Sequence, residues 1–195
     1  MTVELAMHVE RTALGPLLLT PAIHRDTRGF FVETFHEPRY RDLGITGPFV
    51  QDNHSRSTRG TIRGLHWQVG APLAKLVRVI EGEIFDVAVD IRSGSPTFGR
   101  WVSVTLSADN FKQFYVPVGF AHGFCVVSDA AQVEYKCTAV YSQADERGLM
   151  WNDPELGIPW PTTDPILSPR DTRHPGLSDL RRILEAEQGE RSVRS

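Results

Sequence analysis

Cysteine is scarce in this chain: two residues, Cys125 and Cys137, among 195. Both lie in apolar, strand-like runs, so buried free thiols are expected. A disulfide would need an oxidising compartment that nothing else in the sequence indicates. Long apolar runs are missing too. None reaches the roughly 18 residues a membrane helix needs, so no span is expected. The start, Met1 to Arg11, carries two glutamates and no apolar stretch. It does not read as a signal peptide, and the cytoplasm is the expected compartment. Neither sign of charge is in excess: 21 Lys and Arg against 24 Asp and Glu leave a net charge of −3. That argues against a general nucleic-acid or membrane surface. An anion site would have to be a local cluster. Internal repeats and low-complexity segments are absent, and few stretches carry a helical period.

What is present is an ordinary globular composition, 41% apolar and 23% charged, in one domain large enough for a core. From Leu17 to Tyr141 short strands alternate with Gly, Pro and Asp turns. Leu76–Ile80 runs into Glu81-Gly82, and Glu83–Asp90 resumes with period two. That alternation puts Phe85, Val87 and Val89 on one face and Ile84, Asp86, Ala88 and Asp90 on the other. Further strands are expected over Trp101–Leu106, Phe114–Val116, Gly123–Val127 and Gln132–Tyr141. The last would place Tyr135, Cys137 and Tyr141 on one face. Many short strands imply a mainly β sandwich or barrel, which can hold a ligand on its inward-facing side chains. After Tyr141 the pattern breaks. Six prolines between Pro154 and Pro175 cannot sit in central strands. Residues 142–180 are expected as an irregular arm over the barrel, carrying Trp151 and Trp160. A short helix is expected over 177–188 with Ser178 as N-cap, then a frayed tail over 189–195.

The chemistry concentrates in Arg63-Gly64-Leu65-His66-Trp67-Gln68. A histidine titrates near neutrality and can act as a general base. Its bland alternative is a hydrogen-bonded core histidine; the nearby Arg63, Gln68 and Lys75 favour the base. Arg63 and His66 have opposite parity, so a regular strand would point them to opposite faces. A bulge at Gly64 would bring them to one face. Gly60, His66 and Pro117–His122 keep the skeleton of a cupin metal motif. Gln68 stands where a second histidine is usual, and no glutamate occurs before Glu81. Two histidines without a carboxylate make a poor divalent site, so no metal is expected. His122 is a candidate to hydrogen-bond a substrate oxygen. Lys75 is either a solvated lysine at a strand start or a fixed cation for an enolate. Tyr135 and Tyr141 are packing residues or proton donors. Arg28, beside aromatics, suits a diphosphate and a base ring. Asp171, 105 positions from His66, could orient it.

Taken together, Asp26–Glu33, Gln51–Ser55, Arg63–His66, Lys75–Arg78, Phe85–Arg92, Gly94–Gly99, Gly119–Phe124, Tyr135-Lys136, Trp151–Asp153 and Leu167–Asp171 closely resemble the dTDP-4-dehydrorhamnose 3,5-epimerases. The likeness spans about residues 15 to 180. Trp67 departs from the Tyr or Phe that many members carry. The resemblance implies a cupin jelly-roll barrel or sandwich, a homodimer, and no metal or organic cofactor. It implies dTDP-4-dehydro-6-deoxy-D-glucose as substrate, inverted at C3 and C5. On it, His66 is the base, Asp171 its dyad partner and Tyr135 the opposed acid. Lys75 and Arg63 face the sugar and the developing enolate, and His122 is a further pocket histidine. Arg28, Phe31, Glu33, Gln51, Asn53, Ser55 and Tyr141 are expected at nucleotide or pocket positions, some reaching across the dimer. Three alternatives stand beside this reading: a mono-epimerase acting at C3 or C5 alone, a metal-dependent cupin such as a dioxygenase, and a non-catalytic sugar-nucleotide binder.

Overall fold

The structure is a computed structural model that describes residues 7–193, with side chains described to residue 186. Residues 1–6 of the segment expected to lack a leader, and the last two residues of the expected tail, lie outside the described residues. Strands β1 (His8–Arg11), β2 (Leu17–Thr20), β3 (Ile23–Asp26) and β4 (Gly29–Val32) come first, followed by helix α1 (Glu37–Asp42). Then come β5 (Gln51–Thr58), β6 (Ile62–Gln68), β7 (Lys75–Glu81), β8 (Glu83–Asp90) and β9 (Trp101–Ser107). The chain continues through β10 (Gln113–Val116), β11 (Phe120–Val126), β12 (Ala130–Cys137), β13 (Glu146–Gly148) and helix α2 (Leu177–Val193).

A six-stranded sheet runs β1-β2-β10-β7-β12-β5, and a five-stranded sheet runs β13-β6-β11-β8-β9. Strands β3 and β4 form a separate hairpin. Each large sheet keeps two edge strands, so the jelly roll is an open sandwich and not a closed barrel.

Period-two alternation decides what faces the interior. On β7, Val77 and Val79 point into the core between the sheets, and Lys75 shares their parity. On β12, Val133 faces the same core and Tyr135 packs against it. On β8, Ile84 and Ala88 join it, with Asp86 between them in register. Fully burying each such aliphatic side chain contributes roughly 1.5–3 kcal/mol. The apolar set fills one end of the sandwich. The polar residues of the same faces gather at the other end.

The outer face of the five-stranded sheet is covered by chain that follows β13. Leu149, Leu156 and Trp160 pack with Leu177 and Leu180 of α2 against Leu65, Val87 and Val89. The other sheet is covered by Tyr40 of α1 and by Ile45, which pack on Leu17, Leu19, Leu76 and Tyr115.

Four boundaries differ from the sequence reading. The strand expected over Gln132–Tyr141 ends at Cys137. There Thr138 turns back to Ala74, with its amide on the Ala74 carbonyl and its hydroxyl accepting from the Ala74 amide. Tyr141 therefore lies in a loop and shares no strand face with Tyr135. The irregular arm contains one short strand, β13, paired to β6. Helix α2 runs through Gly189 to Val193, because one glycine costs a helix only about 1 kcal/mol. Ser178 does not cap it: the Leu177 amide donates to Asp153 Oδ2 at 2.7 Å, and Ser178 lies inside the helix. The six-residue α1, with Pro38 in its first turn and His36 as N-cap, had no helical period long enough to announce it.

The expected irregularity at Gly64 is present. Opposite β6, His122 pairs with His66 and Phe124 with Arg63, so three steps on β6 face two on β11. This bulge brings Arg63 and His66 to the same face. Only glycine fits there. Gly64 has φ +117°, and an added Cβ would lie 2.6 Å from both Gly123 Cα and the His122 carbonyl oxygen. Gly64→Ala is expected to lower the denaturation free energy by about 3 kcal/mol or more. Chemical denaturation of the purified variant measures it; a loss within 0.5 kcal/mol or so of zero, the range of ordinary surface changes, would remove the glycine requirement.

Candidate active site

The polar end of the sandwich encloses a cavity of about 330 Å³. The six-stranded sheet contributes Gln51, Asn53 and Ser55 from β5, Lys75 from β7 and Tyr135 from β12. The facing sheet contributes Arg63 and His66 from β6 and His122 and Phe124 from β11. Tyr141, Glu146, Ser168, Arg170 and Asp171 close the rim.

His66 Nε2 lies 2.5 Å from Asp171 Oδ1. A carboxylate only accepts, so Nε2 carries the proton and Nδ1 keeps its lone pair. Nδ1 is 3.8 Å from Glu146 Oε1. Asp171 is held in place by its own turn: Ser168 Oγ donates to Oδ2 at 2.8 Å, and the Asp171 amide returns to the Ser168 carbonyl at 3.1 Å. Burial alone would raise the Asp171 carboxyl. The hydrogen bond and charge of His66, with Ser168 and His174, outweigh it and hold the carboxyl below its ordinary value.

His122 makes a second His–Asp pair, with Nε2 donating to Asp86 Oδ1 at 2.7 Å. Both partners are buried. Burial, aided by the positive charges of Lys75 and His66, lowers the His122 imidazole against the pull of Asp86. His122 thus has Nε2 committed to Asp86, and only Nδ1 remains for a ligand. Burial also lowers the Lys75 ammonium, against Cys137, Asp86 and Glu146. Its Nζ sits 5.7 Å from the centre of the Tyr135 ring. The Tyr135 phenol is raised by burial, reinforced by Cys137, Glu146 and Tyr141 and opposed by Arg63. At neutral pH it therefore keeps its proton. Arg63 is aimed by Ser57, whose Oγ accepts from Nε at 2.9 Å.

The donor sets do not suit a divalent ion. Gln68, at the position of a cupin histidine, is buried and fully engaged. Its Nε2 donates to Ala71 O at 2.7 Å and Val140 O at 3.1 Å, and its Oε1 accepts from the Ser142 amide at 2.8 Å. His66, Asp171 and His174 bring ligand atoms within 4.8 Å of one another. Donors around zinc at about 2.0–2.2 Å stand about 3 Å apart. The 2.5 Å between His66 and Asp171 is instead a shared proton.

Three of the residues singled out in the sequence are not in this cavity. Arg28 and Phe31 belong to the β3–β4 hairpin, which borders a separate depression of about 370 Å³. Phe31 is 65% exposed. Glu33 pairs with Arg39 of α1. Conversely, sequence reasoning passed over Glu146, Ser168, Arg170 and His174. Ser168 and Arg170 were in view, since they flank Asp171 in one block. Glu146 had no signal: its carboxylate binds Tyr141 Oη at 2.7 Å and Arg170, and only the fold brings these groups beside His66.

Comparison with known proteins gives this constellation its context. The model of the dTDP-4-dehydrorhamnose 3,5-epimerase family matches residues 11–179. A dTDP-4-dehydrorhamnose 3,5-epimerase from Neisseria gonorrhoeae is 53% identical over 167 residues, covering 85% of this chain; the chain spans about half (51%) of that relative's length. A crystal structure of a dTDP-6-deoxy-D-glucose-3,5-epimerase from Legionella pneumophila, in complex with dTDP-4-keto-L-rhamnose, is 48% identical. It superposes with a TM-score of 0.86 over 90% of this chain and 97% of that one. A 3'-monoepimerase from Streptomyces bikiniensis, in complex with dTDP-quinovose, is 33% identical with a TM-score of 0.84 over 94% and 97% of the two chains. A family match over most of the sequence, with relatives at such identity sharing the same sandwich, establishes that this chain belongs to the dTDP-4-dehydrorhamnose 3,5-epimerase family.

Proposed function

We propose that this chain converts dTDP-4-dehydro-6-deoxy-D-glucose to dTDP-4-dehydro-L-rhamnose by inverting C3 and C5. One observation carries the reading. The imidazole of His66 and the protonated phenol of Tyr135 belong to opposite sheets and line one cavity, with Lys75 beside the phenol. The C4 ketone acidifies the hydrogens on both neighbouring carbons. His66 Nδ1 removes one of them, and the pair of electrons moves onto the C4 oxygen. Lys75 and Arg63 stabilise the enolate oxygen in a site shielded from water. Asp171 stabilises the imidazolium that forms. Tyr135 then returns a proton to the other face of the ring. A lone base would tend to restore the original centre; an opposed acid makes inversion possible.

Gln51, Asn53, Ser55 and Tyr141 are assigned to substrate binding, with His122 beside the sugar. Arg28, Phe31 and Glu33 are assigned to the nucleotide of a second copy. Their hairpin stands apart from the cavity of its own chain, and Phe31 is exposed there, so a homodimer would complete each site. Among the described residues no helix is long and apolar enough to cross a membrane. A cytoplasmic homodimer that needs no metal or organic cofactor is the proposed working form.

Turnover in D₂O, coupled to the following reductase, tests the assignment. The product sugar is expected to carry deuterium at both C3 and C5 and the L-rhamno configuration. Label and inversion at one carbon alone would make the chain a mono-epimerase, a reading favoured by its likeness to the Streptomyces bikiniensis enzyme. Absence of exchange at both carbons would reject the epimerase reading and leave a binding module.

A further inference from the structure

His174 has no place in the mechanism above, yet it is packed against the dyad. Its segment is tied at both ends. The Arg173 amide donates to the Arg170 carbonyl at 3.0 Å, and the Pro175 carbonyl accepts from the Met150 amide at 2.8 Å. Its ring stands edge-on to His66, with centroids 5.5 Å apart and planes at 79°. Room for it comes from Gly148, which pairs with His66 across β13 and β6. A Cβ on Gly148 would lie 2.2 Å from His174 Nε2. That nitrogen is buried and has no hydrogen-bond partner. Its nearest polar neighbour is Asp171 Oδ1 at 3.4 Å, the same oxygen that binds His66.

We propose that His174 is a positioning residue of the dyad: its Nε2–H is directed at Asp171 Oδ1, competes with His66 for that oxygen, and so limits how tightly Asp171 holds the imidazole proton. The proposal rests on the assignment of His66 as the base. The charged and titratable groups facing His174 are His66 on β6, with Glu146 of β13 beyond it, and Asp171 and Arg170 in its own segment. Burial lowers the His174 imidazole; the charges of His66 and Arg170 act the same way and Asp171 opposes them. His174 is therefore neutral at neutral pH and acts as a dipole, not as a charge. A neutral donor tempers the carboxylate without cancelling it.

The test uses the full-length protein with ¹⁵N-labelled histidine. In His174→Ala the His66 Nε2–H proton should move further downfield, because its hydrogen bond to Asp171 tightens. In His174→Gln, which restores an N–H donor at the same reach, it should return toward the wild-type position. The acid limb of kcat/KM should rise in the alanine variant by about half a pH unit, about threefold in rate on the acid side, and return in the glutamine variant. A resonance that is unmoved in folded His174→Ala overturns the proposal, whatever the activity does. The same resonance displaced equally in both variants also overturns it, since loss of packing alone would then explain the shift. Failure of the epimerase reading shows separately, as absent deuterium exchange in the wild-type protein.

Discussion

His66→Ala is expected to lower turnover roughly 10²–10⁴-fold, the usual cost of removing a general base, while the protein stays folded. His66 makes no contribution to the apolar clusters, and its ring borders the cavity. The variant does leave Asp171 without its main partner. In the wild type that carboxyl is held below its unfolded-state value, near 3.8. Its pairing therefore contributes stability that is fully present above that value and is lost as pH falls through the lower folded one. The variant should lose this contribution at neutral pH but keep the Ser168 contact to Oδ2. Circular dichroism and denaturation establish that it is folded, and a coupled assay gives its rate. Turnover within a few-fold of wild type would take His66 out of the mechanism.

The second large effect is a separation of two observables. Tyr135→Phe keeps the ring that packs on the core and lies near Lys75, and removes only the hydroxyl. Proton abstraction by His66 should survive. Delivery to the opposite ring face should slow by about 10²-fold or more. Substrate incubated in D₂O would then lose ring hydrogen faster than it yields epimer, which NMR of the sugar resolves. A variant that inverts at the normal rate would assign the acid elsewhere, to Tyr141 or to water.

Local patterns carried much of this architecture into the sequence. Strand β8 was legible to the residue, because alternation over Glu83–Asp90 starts at a Gly82 turn with φ +77°. The side on which Lys75 and Tyr135 sit followed from the parity of Val77, Val79 and Val133. Even the bulge was readable, as a conflict between the parities of Arg63 and His66 with a glycine between them. The misplaced pieces are those set by tertiary contacts. Alternation continues past Cys137 to Tyr141, but the Ala74–Thr138 hydrogen bonds pull the chain off the ladder. Gly189 looked like a stop, yet one glycine is too weak a signal to end a helix. The 105 residues between His66 and Asp171 gave only a resemblance to go on; the turn at Ser168 and the packing of the arm close that gap. Glu146 and His174 had no periodic or motif signature, since their places depend on the pairing of β13 with β6.

Gln68 bears on how this scaffold could be repurposed. Its side chain fastens Ala71, Val140 and Ser142, and so anchors the loop that carries Tyr141 over the cavity. An engineer who restores a histidine there to recreate a metal centre would gain one ligand and cut three ties. The loop would need new fastening before any ion could be held. The same obstacle confronts evolution: a single substitution at this position does not lead back to a metalloenzyme, because the side chain that replaced the ligand has become part of the building.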